Sequence, residues 1–184
     1  MISREGKILI SHPNLPASNP FSKSVIYIYQ DNSTGTLGLV LNKQTGWTVE
    51  QVCHDKQFSY FGPQKSLYMG GPVNTGALCL LHSDDWQSQN TVSAGSRMMV
   101  SSDNFMLEKL GSGNFPAYWR MCVGMCAWQP GQLDRELKGL PPYKAENSWL
   151  IADPNDTIVY DYDGDTQWEK ALKYSRQQMI NFFF

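Results

Sequence analysis

Short apolar runs separated by turn residues fill the first half of the chain, and longer amphipathic stretches lie in the second. Residues 7–12 (KILISH) read as a strand stopped by Pro13, and the proline- and asparagine-rich residues 13–20 read as a loop. Residues 24–30 (SVIYIYQ) are β-branched and aromatic, residues 31–35 carry turn chemistry, and residues 37–42 (LGLVLN) return, so a hairpin is predicted. Thr48 and Gln51 have capping-box spacing and open a short helix that turns Val49, Val52 and Cys53 inward. Further strands are predicted at residues 66–69, 77–82 and 97–101. Ser102 is placed to cap a helix carrying Phe105, Met106, Leu107 and Leu110, ended by Gly111 or Gly113.

The second half continues with a long buried strand at residues 118–127. Pro130 suits the first turn of a helix, because its missing N–H would be unpaired there. That helix runs to about Lys138, carries an Asp134–Lys138 surface pair and stops at Gly139. Residues 148–152 and 157–161 read as a last pair of strands. Thr166 and Glu169 repeat the capping-box spacing and open a helix whose inner face is Trp168, Ala171, Leu172 and Met179.

Composition narrows the class. The 184 residues fit one domain, 1–184, and 41% hydrophobic residues suffice for a core. The net charge of -2 and the scatter of basic residues give no electrostatic footprint for direct nucleic-acid binding; only Lys170, Lys173 and Arg176 lie close together. The opening residues lack the form of a signal peptide, and no apolar run approaches the roughly 20 residues of a membrane helix, so no membrane partner is expected. Cys53, Cys79, Cys122 and Cys126 sit in apolar segments, which favours reduced, buried thiols and a cytoplasmic location.

Candidate chemistry is sparse. The loop 70–76 is glycine-rich, yet Ala77 and Leu78 stand where a phosphate-binding loop needs lysine and a hydroxyl, so a special turn is the simpler reading. His12, His54 and His82 lack metal-ligand spacing; His12 and His82 at strand ends could meet, but a hydrogen-bonded core histidine is the simpler reading. Cys122 and Cys126 on a straight strand would stand roughly 13 Å apart, too far for a disulfide unless Gly124 bends the chain. Residues 161–165 (DYDGD) resemble a calcium loop, but Val159 and Lys170 occupy ligand positions, leaving a turn and an acidic helix start. Ser24, Ser101 or Ser102 could combine with His82, oriented by Asp103, without any nucleophile-elbow motif. The strand-to-helix junction at Trp128, Gln129, Gly131 and Gln132 exposes backbone N–H groups able to hold an anion or carbonyl, against the alternative that Trp128 fills the core. No metal and no cofactor is expected.

Several fragments, taken in order, resemble the AlgH/YqgE family of bacterial proteins. They are residues 21–26 (FSKSVI), Gly35, residues 38–42 (GLVLN), residues 68–73 (YMGGPV), His82, residues 101–103 (SSD), residues 124–128 (GMCAW), residues 130–133 (PGQL), residues 147–150 (NSWL) and Trp168. Lys23, Gln44 and Met125 depart from the family's usual arginine, proline and aromatic residue. The resemblance implies an α+β fold with a strongly bent, partly barrel-like, mostly antiparallel sheet flanked by a few helices. The family's link to transcriptional regulation implies a binding or regulatory module acting indirectly, with an unidentified small molecule or protein as partner. A hydrolase using a serine and His82 is the alternative, and a direct DNA-binding regulator the third. The motif positions at strand ends suggest a groove rimmed by Lys23, Ser24, Asn42, Gly71, His82, Ser102, Trp128 and Gln132. There Lys23 would supply charge, Asn42 and Gln132 hydrogen bonds, and Trp128 an apolar wall. Oligomeric state has no signal in the sequence.

Overall fold

A computed structural model describes residues 3–95, 97–143 and 149–183. Its strands are β1 (Ile8–Ser11), β2 (Val25–Asn32), β3 (Gly35–Val40), β4 (Gln44–Thr48), β5 (Ser66–Met69), β6 (Val73–Ser83), β7 (Val92–Ser93), β8 (Met98–Ser101), β9 (Trp119–Trp128) and β10 (Trp149–Ala152). The α-helices among the described residues are α1 (Val49–Asp55), α2 (Asn104–Gly111), α3 (Gln132–Leu137) and α4 (Gly164–Phe183). The strands form one curled sheet in the order β10-β1-β2-β3-β9-β6-β8-β7, with β4 and β5 attached through β5. All pairs are antiparallel except β5 with β9, so the chain is α+β with a mostly antiparallel, half-barrel sheet.

β9 is where the sheet forks. Its first half pairs with β5 through Met121–Val123, its second half pairs with β3 through Cys126–Trp128, and β6 runs along it with a register break between Val73 and Leu78. The fork needs a bend, and Gly124 supplies it at φ 72°. A Cβ there would lie 2.4 Å from the Gly71 oxygen, so the two backbones pass at a distance that admits only glycine.

Both faces of the sheet are covered. Ile8 and Ile10 belong to a core beneath α4, with Tyr27, Leu39, Cys122, Ala171 and Leu172. Leu9, one residue out of step, faces a second core with Ile26, Ile28, Trp128 and Leu133. A third core joins α1 and α2 to Leu67, Leu80, Trp119 and Met121. This explains why the strands read as continuous apolar runs rather than alternating ones.

Local signals set several element ends. The Thr48–Gln51 capping box forms, with Val49, Val52 and Cys53 buried. The cap of α2 is Asp103, which accepts from the Met106 N–H, rather than Ser102. Pro130 precedes α3 instead of entering its first turn, because Gly131 takes the left-handed N-cap position. Asp134 pairs with Arg4 rather than Lys138. Residues 157–161 are not a strand: Thr157–Asp161 is a π-helical turn. α4 starts at Gly164, two residues before Thr166, so the second capping box does not form. Met179, expected on the inner face of α4, is exposed. β4 and β7 carry no clear periodic signal and were not expected. The readings of Asn147 and Ser148 fall outside the described residues.

Candidate functional site

Trp128 is the last residue of β9, and the chain turns through Pro130 and Gly131 into α3. The junction organises a small polar relay. The Trp128 indole N–H donates to Glu136 Oε2 at 3.2 Å, and the Trp149 indole N–H donates to the same oxygen at 2.8 Å. Gln132 Nε2 donates to Glu136 Oε1 at 2.9 Å, one helical turn away, while Gln132 Oε1 accepts the Gln129 N–H. Trp149 stands edge-on to both Trp128 (6.3 Å, 82°) and Phe21 (5.8 Å, 68°). Such edge-to-face packing sets the angles between the three rings. Together with Pro72, they enclose a recess of about 320 Å³ with Gln132 and Glu136 at its polar side.

A second recess, of about 250 Å³, shares Phe21 and Pro72 with the first and is lined by Ser24, Lys43, Met69 and Gly71. The Ser24 hydroxyl is shut off from solvent and has no hydrogen-bond partner among the described residues. Lys43 donates to the Ser22 carbonyl at 2.8 Å, and burial lowers its basicity. Gly71 belongs here through packing: a Cβ would meet the Met125 carbonyl carbon at 2.2 Å. The 70–76 loop is therefore pressed against β9.

Four of the groove residues named from sequence thus surround these adjoining recesses: Ser24, Gly71, Trp128 and Gln132. The other four stand elsewhere. The Lys23 ammonium pairs with Asp165 at 2.6 Å, on the surface, and that contact raises its pKa. Asn42 is buried; its oxygen accepts the Val25 N–H and its amide donates to the Lys23 and Gly164 carbonyls, fastening α4 to β2. The Ser102 hydroxyl donates to the Leu78 carbonyl, its backbone N–H donates to Asn90 Oδ1, and its carbonyl accepts from the Asn90 amide.

His82 lies within the sheet. Its Nδ1 is 2.9 Å from the Ser83 carbonyl oxygen, which only accepts, so Nδ1 carries the proton. Nε2 then accepts from the Ser101 hydroxyl at 2.9 Å, and the Thr91 hydroxyl lies 2.7 Å from that oxygen. Both His82 and Ser101 have 0% exposure. Asp103 takes no part: its oxygens accept from Ser88, Asn90 and Met106. His12 and His82 do not meet, since β2, β3 and β9 lie between their strands.

The remaining candidates are structural in this geometry. All four cysteines are free and buried; burial pushes the Cys122 and Cys126 thiols up to about 12. Asp163 accepts from Tyr68 and Gln44, and Asp165 from Lys23. Among the described residues, no three His, Cys, Asp or Glu side chains are placed to hold a metal ion. No helix among them is long and apolar enough to cross a membrane.

Residues 8–179 match the model of the AlgH-like family, DUF179. The chain belongs to the AlgH-like family. A UPF0301 protein of Methylococcus capsulatus is 34% identical over 176 residues, covering 92% of this chain and 90% of that protein. Another, from Hydrogenovibrio crunogenus, is 32% identical over 176 residues, covering 92% and 88%. The solution structure of the AlgH protein from Pseudomonas aeruginosa superposes with a TM-score of 0.73 at 25% identity, over 92% of this chain and 87% of that one. A crystal structure from Corynebacterium diphtheriae shares the fold, with a TM-score of 0.69 at 19% identity over 95% and 88%.

Within this AlgH-like chain, the three residues noted as departures each hold a specific contact. Lys23 pairs with Asp165, Gln44 donates to Asp163, and the Met125 sulfur accepts the Tyr29 hydroxyl at 3.2 Å. The groove drawn from sequence left out Phe21, Trp149 and Glu136. Phe21 and Trp149 lay inside the fragments that carried the family resemblance, and the Gln132–Glu136 spacing of four was readable as one face of a helix.

Proposed function

We propose that this AlgH-like protein is a cytoplasmic binding module of regulatory rather than catalytic character, which holds a small planar apolar molecule in the recess walled by Phe21, Trp128 and Trp149. The observation carrying this reading is the recess of about 320 Å³ framed by those three edge-packed rings. Rings locked by packing and by indole N–H bonds to Glu136 lose little entropy when a ligand settles against them. Titration with indole, read by NMR at the tryptophan indole N–H signals, tests the idea. The Trp128 and Trp149 signals should move and those of Trp86 and Trp119 should not, and Trp149→Ala should weaken binding about tenfold. Unchanged indole signals, or equal binding by the variant, would remove the recess as a ligand site.

The Ser101–His82 hydrogen bond supports a second reading, a hydrolase. It has the donor direction of a serine–histidine pair, but complete burial requires β8 to open before a substrate could reach it. Turnover of p-nitrophenyl acetate or p-nitrophenyl phosphate, lost in both Ser101→Ala and His82→Ala with the fold intact, would favour it over the binding module.

A further inference from the structure

The opposite end of β9 holds a different kind of recess. A cavity of about 240 Å³ is lined by Lys65, Ser66, Tyr68, Trp119, Arg120 and Tyr160, together with Gln64, and by no carboxylate. Arg120 is only 4% exposed. Its two terminal nitrogens donate to neutral acceptors: the carbonyls of Leu41, Tyr160 and Tyr162, and Gln167 Oε1. A guanidinium has five N–H donors, so Nε–H is the one left over. Its ion lies 4.3 Å over the Tyr68 ring. Lys65 donates one N–H to the Trp119 carbonyl at 3.1 Å and sits 4.6 Å over the Trp119 ring, which leaves two N–H groups. Asp163 is the acid that acts on Arg120, from beyond hydrogen-bond range through Tyr68.

We propose that this recess binds a phosphate dianion, either free or as the phosphoryl end of a small organic ester. Two cations face one cavity and neither is bonded to a carboxylate, so their mutual repulsion and their desolvation are only partly offset by carbonyl oxygens. A dianion entering between them supplies the missing charge and accepts the remaining Lys65 and Arg120 donors. Ser66 lines the same cavity. Burial and the neighbouring Arg120 lower the Lys65 pKa, a cost that an anion would relieve. The site is independent of the aromatic recess, which lies at the other end of the same strand.

The test is an NMR titration of the whole protein with inorganic phosphate, phenyl phosphate and acetate, following Lys65 and the Arg120 Nε–H. Phosphate should give a saturable shift and raise the thermal midpoint, acetate should bind more weakly, and Lys65→Met should weaken phosphate about tenfold without unfolding the protein. Tighter binding of phenyl phosphate assigns an ester ligand, and equal binding assigns the free ion. Arg120 variants are not used, because Arg120 also holds the π-helical turn. No saturable shift at millimolar phosphate, acetate as tight as phosphate, or wild-type affinity in Lys65→Met would each overturn the proposal.

Discussion

His82 reports on its surroundings through its proton. Burial is the main cause that holds its pKa below the ordinary 6.5, so the folded protein keeps the ring neutral where the unfolded chain accepts a proton. As the pH falls below about 6.5, the unfolded state binds more protons, and stability declines until the folded imidazole also titrates. Above that value the contribution is fully present. The expected result is a urea midpoint that drops between pH 7.5 and pH 5.5 by more in the wild type than in His82→Gln; equal drops would show that His82 is not the group responsible. The cysteines follow the same logic of burial. With the Cys122 and Cys126 thiols at about 12 and all four side chains covered, a thiol reagent at pH 8 should react only as fast as the protein opens, and urea should release all four. Fast reaction of the native protein would contradict the buried placement. The burial of these groups was legible from the apolar segments around them. Ser101 was one of three serines that the sequence offered to His82, but the choice among them was not legible, because nothing local fixes the β6–β8 register that brings residues 19 apart together.

Some elements formed where a local signal suggested them, others shifted by a residue or two at their ends, and one departed where distant side chains decided. The Thr48 capping box needs only residues three apart, and it formed. Residues 157–161 (TIVYD) have strand composition yet fold as a π-helical turn. Their carbonyls are claimed from elsewhere: Arg120 takes Tyr160, and Gln167 takes Ile158 and Val159. A strand partner would be needed to replace those bonds, and none is visible in a single sequence. The glycines offer a quantitative contrast at this scale. Gly124 and Gly131 have nearly the same φ, 72° and 74°, but a Cβ at Gly124 collides with the Gly71 oxygen while Gly131 has nothing within 4 Å. Gly131→Ala should therefore cost only the left-handed penalty, about 1 kcal/mol, whereas Gly124→Ala adds a backbone clash at the fork and should cost about 3 kcal/mol. Chemical denaturation of the two variants compares them directly, and equal losses would mean that β9 relaxes freely around the bend.

At the scale of the whole molecule, β9 is shared by all three cores. Trp119 and Met121 enter the core under α1 and α2, Cys122 the core under α4, and Cys126 and Trp128 the core beside α3. A strand common to three cores cannot leave one of them intact while another melts, so the chain should unfold in a single step. Five of the six tryptophans make this measurable. Trp86 and Trp119 report on one core, Trp128 and Trp149 on another, and Trp168 packs against the third while its indole N–H donates to the Ser11 carbonyl. Urea transitions followed by tryptophan fluorescence and by far-ultraviolet circular dichroism should superimpose. Leu133→Ala removes a side chain from the α3 core alone, yet it should move both transitions together, by about 2–4 kcal/mol, because the loss passes through β9 to the rest. Separate midpoints, with the fluorescence change preceding the loss of ellipticity, would instead mean that the Trp128–Trp149 wall melts on its own. In that case the three rings are not held at fixed angles, and the recess they wall is not preformed for a ligand.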